Sequence, residues 1–172
     1  MNENDEVASH LLIAIDPGKH ICGVSVWGCT EDGVVLLHAR SLRSHGDLRS
    51  FPTQVEDLWF EYLVGFEDVP PQFVFEIPRY YKKKRRTYKG VDALYEVLDV
   101  FQKHGILIKD YVYPSQWKGN LPKDIHRKRI QKALTWSELR VVDFSGTHDM
   151  WDAIGIGLFA TGRTGRAGIP VN

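Results

Sequence analysis

The sequence predicts an α/β protein in which a mixed five-stranded sheet is flanked by helices. Three strands at 11–17, 21–28 and 33–41 are separated by short turns, which favours an antiparallel meander. Two later strands, at 72–77 and 106–113, each follow a helical segment. Right-handed crossovers through those helices make the later strands parallel to the first. The expected order across the sheet is 3-2-1-4-5, with the first and fourth strands side by side.

The first strand has the clearest pattern. Leu12 to Ile15 form a continuous apolar run that an acid, Pro17 and Gly18 close, which is typical of a strand buried on both faces. Segment 21–28 is rich in β-branched and aromatic residues, and segment 72–77 is again apolar with one acid near its end.

Helical segments lie between and after the later strands. Apolar residues from Val55 to Phe66 recur at the i, i+3, i+4 spacing of an amphipathic helix, and Pro70 and Pro71 prevent its continuation. Thr147 is the expected N-cap of the last helix, and residues 141–144 form a short extended piece before it. The further helices are predicted at 91–104, 122–136 and 148–161.

Length and composition indicate one domain, since 172 residues with 43% apolar side chains can bury a single core. The domain is expected to span residues 1–172, with an ordered core at about 11–161 and loose ends. The acidic, polar start does not resemble a signal peptide, and no apolar run approaches the roughly 18 residues of a membrane span. We therefore expect a cytoplasmic protein without membrane contact, whose Cys22 and Cys29 stay reduced.

Positive charge is concentrated in two segments, although the formal net charge is zero. Seven basic residues and no acid lie between Arg79 and Lys89, and six basic residues with one acid lie between Lys118 and Lys132. Two basic segments on a neutral protein indicate that a polyanion binds on one face.

Two acids close apolar strands that the expected topology makes neighbours. Asp16 ends the first strand and Glu76 lies near the end of the fourth, so both are expected at the same edge of the sheet. A carboxylate at the end of a buried strand is costly to keep charged unless a cation compensates it. A single acid of this kind is more often a turn or capping residue, so the inference depends on the two strands being adjacent.

The last helix adds a second pair of acids. Asp149 and Asp152 are three residues apart near its start, where they share one side and the positive end of the helix dipole. Asp143 precedes a Ser-Gly-Thr turn and ranks below these two as a candidate. Mainly small residues continue the acidic side and allow close packing on the sheet: Ala153, Ile156, Gly157 and Ala160.

Four converging carboxylates predict a metal centre. Like charges in one place raise one another's pKa unless cations bind, and Mg²⁺ takes carboxylate oxygens while keeping waters for a phosphate. Two such ions about 4 Å apart can activate a water and stabilise the leaving oxygen of a phosphodiester. A nuclease is therefore expected. The alternatives are a non-catalytic binder and an actin-like ATPase, although actin-like ATPases need two such domains.

These motifs resemble those of the RuvC-type Holliday junction resolvases of the RNase H-like superfamily. The resemblance covers about residues 11–160 and rests on IDPG at 15–18 with Gly23, FVFE at 73–76 and HDMWDA at 148–153. It implies an RNase H-like fold, cleavage of four-way DNA junctions by paired nicks, and two Mg²⁺ per active site, with Mn²⁺ as a substitute. The metal ligands it implies are Asp16, Glu76, Asp149 and Asp152. His148 is left open as an alternative ligand, a base or a helix-start residue.

The resemblance extends to a basic segment and to the assembly. Residues 114–132 are similar to the family's stretch of lysine, glycine and basic helix start, which implies phosphate contacts for Lys118 and for Lys128 or Arg129. It also implies a homodimer with one active site per strand of a four-way junction and helix 91–104 as the dimer element. Cleavage of RNA in RNA–DNA hybrids is a second activity that the same chemistry allows.

Two departures mark the chain as a divergent member, compatible with a phage origin. Lys19 and His20 stand where bacterial members usually carry a small hydroxyl residue and arginine. The loop after Glu76 is also far more basic than usual, although a solvated charged loop is the alternative to a DNA contact. Its cations are expected to bind junction phosphates and its tyrosines to stack on a base. These residues are Arg79, Tyr80, Tyr81, Lys82, Lys83, Lys84, Arg85 and Arg86.

Overall fold

The computed structural model describes residues 9–64, 66, 69–77 and 88–169, and it has the predicted α/β architecture. Its five-stranded sheet has the order β3-β2-β1-β4-β5, which confirms the prediction. The strands are β1 (His10–Asp16), β2 (Ile21–Thr30), β3 (Gly33–Arg43), β4 (Gln72–Glu76) and β5 (Ile108–Val112). The first three form the antiparallel meander, and β1, β4 and β5 are parallel.

The register of the sheet positions two predicted site residues. Asp16 pairs with Gly23 across the antiparallel β1–β2 ladder, and Ile15 pairs with Phe75 across the parallel β1–β4 ladder. Asp16 directly follows Ile15, and Glu76 directly follows Phe75. They therefore lie side by side at the carboxyl ends of neighbouring strands.

Helices cover both faces of the sheet. They are α1 (Ser50–Phe60), α2 (Tyr88–Lys103), α3 (Pro114–Trp117), α4 (Lys123–Ala133), α5 (Trp136–Leu139) and α6 (His148–Ala160). α1 and α2 pack on the face that carries Ile13 and Phe75, whereas α3, α4 and α6 pack on the face that carries Ala14 and Trp27. Successive strand residues thus enter two separate cores, as expected for strands buried on both faces.

A buried hydroxyl group ties α6 to β2. Ser25 Oγ donates a hydrogen bond to the carbonyl of Ala153 at 2.8 Å and accepts one from Trp27 Nε1 at 2.8 Å. α6 is buried from Met150 to Leu158, because the sheet covers one side and α3 and α4 cover the other. This helix is therefore held in one position against the central strands.

The first helix begins and ends earlier than predicted. α1 covers Ser50–Phe60 rather than 55–66, because the buried Phe51 extends its apolar face upstream. After the helix, the N–H of Tyr62 bonds the carbonyl of Trp59 at 2.9 Å, a tighter i to i−3 turn. The apolar spacing thus continues through turns that are not α-helical.

The basic helix predicted at 122–136 is divided into two. α4 ends at Ala133, because Leu134 has extended backbone with ψ 144°. Thr135 then opens α5 with a capping box, in which Glu138 accepts the Thr135 N–H at 2.7 Å. α3 has only four residues, too few to show a periodic pattern.

Residues 163–168 make contacts with the rest of the domain, where the sequence predicts a loose tail. Arg163 forms an ion pair with the buried Glu138, and a short 3-10 helix at Arg166–Gly168 lies against α3 and α4. The ion pair joins positions 25 residues apart, which no local pattern in the sequence reveals. Residues 1–8, the other predicted loose end, lie outside the described residues.

Two further predictions concern membranes and thiols. In the part of the chain that the structure describes, no helix has both the length and the apolar character needed to cross a bilayer. Cys22 and Cys29 are free and buried. Burial raises the pKa of both thiols, that of Cys22 to about 12, which makes them unreactive at neutral pH.

Candidate active site

Four acidic residues meet at the carboxyl end of the central strand. Asp16 and Glu76 extend from adjacent strands, and Asp149 and Asp152 lie near the start of α6. Burial raises the pKa of Asp16 well above its ordinary value of 3.8, and the charges of Glu76, Asp152 and Asp149 raise it further. The topology thus brings together the four carboxylates that the sequence predicts as ligands.

Glu76 is held by a neighbour that sequence reasoning missed. The indole Nε1 of Trp117 donates a hydrogen bond to Glu76 Oε2 at 2.8 Å. Burial raises the pKa of Glu76 to about 7, although Lys118 and the indole lower it and Asp152 adds to the rise. Since Trp117 is only 1% exposed, the carboxylate is oriented by a side chain that cannot move away.

Asp152 and Lys118 form the charged centre of the site. Asp152 is 4% exposed, and its Oδ2 accepts a hydrogen bond from the Lys118 ammonium in an ion pair. The Nε2 atom of His148, one turn earlier on α6, lies 3.2 Å from the same oxygen. Burial lowers the pKa of His148 despite the opposing charge of Asp152, so the imidazole is neutral at pH 7. Asp152 Oδ1 is buried and has no hydrogen-bond partner among the described residues.

Asp149 is connected to β3 by hydroxyl groups. Thr147 Oγ1 donates to Asp149 Oδ2 at 3.0 Å, and Ser41 Oγ lies 2.6 Å from Thr147 Oγ1. Because Thr147 gives its proton to the carboxylate, Ser41 is the donor in the second bond. Thr147 occupies the predicted N-cap position of α6 but makes no capping hydrogen bond with its side chain. Its hydroxyl group orients Asp149 instead.

Glycines allow α6 to approach the sheet closely. A Cβ atom on Gly23 would overlap the carbonyl oxygen of Asp149, and one on Gly157 would overlap the indole of Trp27. The predicted close packing of small residues is therefore correct at Gly157. Ala160, assigned to the same face by the sequence, is exposed as the last residue of the helix.

The carboxylate cluster concentrates negative charge as a cation site does, although its side chains are not placed to bind one ion together. Within 9–64, 66, 69–77 and 88–169, no group of three or more His, Cys, Asp and Glu is placed to hold a metal ion. Lys118 is the cation that contacts Asp152. The raised pKa of Asp16 and the unpaired Asp152 Oδ1 indicate that additional positive charge would stabilise the site. The donor set fits a hard divalent cation, because such cations take carboxylate oxygens.

Comparison with known proteins identifies the fold. No family model and no curated protein matches the sequence. Thermus thermophilus RuvC is 17% identical, with a TM-score of 0.51 over 86% of this chain and 91% of its own. The fowlpox virus Holliday junction resolvase is 8% identical, with a TM-score of 0.55 over 88% of this chain and 97% of its own. The yeast mitochondrial Holliday junction resolvase Ydc2 is 14% identical, with a TM-score of 0.51 over 87% of this chain and 75% of its own.

The chain has the fold of the RuvC-type resolvases. The predicted RNase H-like architecture is thereby confirmed, and at these identities the likeness is one of fold. The chemistry of the site follows from its own residues.

The remaining predicted site residues of this resolvase fold differ in how the structure places them. Lys128 is exposed on α4, and Arg129 lines a small hollow beside the 3-10 helix. The basic loop Arg79–Arg86 lies outside the described residues. Asp143 is exposed and accepts hydrogen bonds from Ser145, as expected for the lower-ranked candidate.

Three residues near the site were not predicted from the sequence. Trp117 directly precedes Lys118, and an aromatic donor beside a predicted phosphate-binding lysine is a signal that could have identified it. His126 is buried edge-on to the Trp117 ring, with 4.9 Å between ring centroids. Ser41 meets Thr147 across 106 positions, so its sequence neighbourhood contains no signal of that contact.

Proposed function

We propose that the chain is a divalent-metal-dependent, structure-selective DNA endonuclease that resolves four-way junctions by paired nicks. The observation that carries this proposal is the meeting of Asp16, Glu76, Asp149 and Asp152 at the end of the central strand, beside Lys118. Partly buried carboxylates that repel one another cost stability, so a function that uses their charge is expected. The resolvase fold and the two basic segments support nucleic acid as the substrate.

The four carboxylates would hold Mg²⁺, two ions per site, with Mn²⁺ as a substitute. When bound, these ions supply an activated water and stabilise the oxygen that leaves the phosphodiester. Lys118, next to Asp152, supplies a cation suited to a phosphate oxygen of the cut strand. Burial lowers the pKa of His148, which favours the neutral imidazole, and the ring lies beside Asp152, where it can take part in proton transfer or bind a metal ion. A metal-soaked crystal structure distinguishes these two roles.

Two copies of the chain are proposed to act on one junction, so that each copy cuts one strand. α2 is the proposed dimer helix: Val97 and Phe101 are buried in the core, whereas Tyr95 is 41% exposed. The basic loop Arg79–Arg86 is proposed to contact the junction, because cations bind phosphates regardless of sequence. Sedimentation equilibrium tests the dimer, and a monomer both with and without junction DNA contradicts it.

A second candidate is a junction-binding protein without catalytic activity. It is favoured by the Lys118–Asp152 ion pair, which already engages one carboxylate. It is also favoured by the lack, among the residues described, of a finished metal-ligand group. The two candidates predict the same DNA binding and differ in cleavage.

A cleavage assay on labelled nucleic acids tests the proposal. The substrates are a mobile four-way junction, a linear duplex of the same sequence and an RNA–DNA hybrid, each with and without Mg²⁺. We expect paired, symmetrical nicks in the junction, and only with Mg²⁺. Cleavage of the hybrid alone indicates an RNase H-type enzyme. Junction binding without cleavage, with either Mg²⁺ or Mn²⁺, indicates the non-catalytic protein.

Asp16→Asn is the decisive variant, and Asp57→Asn is its matched control. Asp16→Asn removes the central charge and keeps the side-chain shape, so cleavage should fall by roughly a thousandfold or more while junction binding persists. Asp57 is an exposed acid on α1, away from the carboxylate cluster. Its substitution should change the cleavage rate by no more than about twofold.

A further inference from the structure

An exposed aromatic ring lies next to the helix that carries two of the four carboxylates. Phe144 is 52% exposed, and its ring meets the buried ring of Trp151 at 65°, with 5.7 Å between the centroids. Trp151 directly precedes Asp152 on α6. A tilted contact of this kind covers at most one face of the Phe144 ring. At least one face is therefore left for another flat group.

Phe144 is held in place by hydrogen bonds on its own backbone and on the next turn. Arg127 of α4 donates from Nη2 to the carbonyl oxygen of Phe144 at 3.1 Å, and its guanidinium lies 4.8 Å from the centroid of the Trp151 ring. On the other side, Asp143 accepts the N–H and the hydroxyl of Ser145 at 2.8 and 2.6 Å. Because the ring is already ordered, contact with a ligand costs little further conformational entropy.

Positive charge connects Phe144 with the carboxylate cluster. Lys123 and Arg127 are four residues apart on α4, so they share one side of that helix. Neither forms an ion pair with an acid among the residues that the structure describes. Burial is the main cause of the lowered pKa of His148, and the nearby charges of Lys118 and Lys123 add to it. Three cations therefore extend from the cluster along α4 towards Phe144.

We infer that Phe144 stacks on a base at the branch point of the DNA, while phosphates of the same strand bind Lys123 and Arg127. The inference rests on the proposed nuclease function and adds a base contact to it. Cations that follow the backbone, combined with an aromatic ring for a base, are the usual means of binding an unpaired strand. A base inside a duplex is stacked on both sides, and unstacking it costs free energy. At the branch point of a four-way junction the stack is interrupted, so a base there can stack on Phe144 at a lower cost.

Junction binding by Asp16→Asn protein, which is expected to bind without cutting, tests the base contact. Adding Phe144→Leu to this parent should raise the Kd for a fluorescent four-way junction about tenfold. The slope of log Kd against log salt should stay the same, because stacking releases no counterions. The Kd for a linear duplex of the same sequence should not change. Phe60→Leu is the matched control, because Phe60 is a 58% exposed ring that stacks on Trp59 at the other face of the sheet. It should change neither Kd.

Abasic sites, placed one at a time along the cut strand, locate the base. At one position close to the branch point, removal of the base should weaken binding by the parent about tenfold and have no further effect in the Phe144→Leu variant. Phe144→Tyr keeps the ring and should retain the sensitivity of the parent. Equal sensitivity of the parent and Phe144→Leu at every position contradicts the inference.

The phosphate contact along α4 has a different signature. Lys123→Gln in the same parent should weaken junction binding and lower the salt slope by about one, as expected for one lost phosphate contact. An unchanged slope overturns the proposed path of the strand along α4.

The possible outcomes separate this inference from the proposed function. An unchanged junction Kd in Phe144→Leu overturns the inference, even where the wild type cuts junctions normally, and so does an equal loss of junction and duplex binding. A parent dimer that dissociates in Phe144→Leu also overturns it, because Phe144 is then a contact between two copies. A wild type that binds but never cuts overturns the proposed function and leaves the stacking measurement valid, whereas a protein that does not bind DNA overturns both.

A second variant covers the case in which Phe144→Leu is unstable. If its thermal midpoint falls, Phe144→Met replaces it, because methionine keeps an apolar contact with the Trp151 ring. The same loss of junction affinity, about tenfold, is expected from it. Normal junction affinity in a stable Phe144→Met variant overturns the inference.

Discussion

Trp117 on α3 donates its indole N–H to Glu76 at the end of β4, with 2.8 Å between the two atoms. The ring fits against α6 because a Cβ atom on Gly155 would overlap it. His126 of α4 meets the ring edge-on from another side, at 4.9 Å between ring centroids. The indole is therefore enclosed by two helices, and Trp117 is a positioning residue for a candidate metal ligand.

Replacing Trp117 by Phe should keep most of the packing and release Glu76. We expect the Mg²⁺ concentration for half-maximal cleavage to rise about tenfold, and the free energy of unfolding to fall by about 1 kcal/mol. A Mg²⁺ titration of the cleavage rate measures the first effect and urea denaturation the second. Trp59→Phe is the matched control, because the Trp59 N–H is buried without a partner among the described residues. An equal shift of the Mg²⁺ response in both variants contradicts the positioning role.

The contact between Gly23 and Asp149 predicts a severe effect from one methyl group. A side chain at position 23 would overlap the backbone of α6, so the helix must move away from β2. Gly23→Ala should abolish cleavage and lower the free energy of unfolding by about 2–3 kcal/mol. Gly28→Ala on the same strand is the control, since the atoms nearest to its Cβ would belong to the side chains of Phe66 and Leu37, at 3.2 and 3.3 Å, rather than to backbone. Similar activity and stability in the two variants would show that α6 is free to shift.

The raised pKa of Glu76 predicts how stability depends on pH without metal. Its ordinary pKa is 4.5 and its pKa in the folded protein is about 7, so the folded state retains the proton to higher pH. The contribution of Glu76 to the free energy of unfolding should fall as pH rises from about 4.5 to about 7 and then level off. Glu76→Gln removes this penalty, so it should be more stable than the wild type by about 2 kcal/mol at about pH 8. Urea denaturation in the presence of a chelator measures the difference.

Addition of Mg²⁺ should reverse the same penalty in the wild type. A cation that binds the folded carboxylates but not the unfolded chain raises the thermal midpoint, and protons compete with it at low pH. We expect a clear rise at about pH 8 and a much smaller one at about pH 5. Glu31→Gln, in the exposed turn between β2 and β3, should respond as the wild type does. A thermal midpoint that does not change when Mg²⁺ is added at about pH 8 contradicts the four-carboxylate site.

The buried ion pair of Glu138 and Arg163 predicts a large stability effect outside the site. Burial favours a higher pKa for Glu138, but hydrogen bonds from Arg163 and from the N–H groups of Leu36 and Thr135 outweigh it and lower the pKa. The contribution of Glu138 is therefore complete above its ordinary value of 4.5 and is lost as pH falls. Glu138→Gln leaves the Arg163 guanidinium without a charged partner and should lower the free energy of unfolding by about 3–5 kcal/mol at neutral pH.

An exposed ion pair provides the comparison for Glu138→Gln. Asp99 and Lys103 are paired on α2 with more than half of each side chain exposed. Asp99→Asn should therefore cost less than about 0.5 kcal/mol in urea denaturation. Comparable losses in the two variants would mean that burial of the Glu138 pair has no energetic consequence.

Much of the fold follows from local pattern. Apolar runs closed by turn residues place the five strands, and the handedness of the crossovers then orders them. Asp16 and Glu76 lie at the ends of strands, so the strand order is enough to predict that they become neighbours. Errors arise where apolar spacing passes through turns, as after Phe60, or where a capping box restarts a helix, as at Thr135.

Side-chain contacts between distant segments are what the sequence does not reveal. Arg163 resembles any basic residue of a glycine-rich tail until the fold brings it to Glu138. Thr147 has the sequence context of an N-cap, yet its hydroxyl group bonds Asp149. Local context is the same for both roles, so only the assembled structure distinguishes them.

The hydrogen bond from Ser25 to Ala153 joins parts of the chain that are 128 residues apart. The carboxylates also come from distant parts of the sequence, since Asp16 is on β1 and Asp149 and Asp152 are on α6. Asp16 leaves the ribosome long before α6 is made, so a nascent chain holds its acids as separate, hydrated charges. Contacts between such distant segments form late, because closing a long loop costs entropy. The candidate site is therefore complete only after α6 has been translated, and its four carboxylates cannot act together in an unfinished chain.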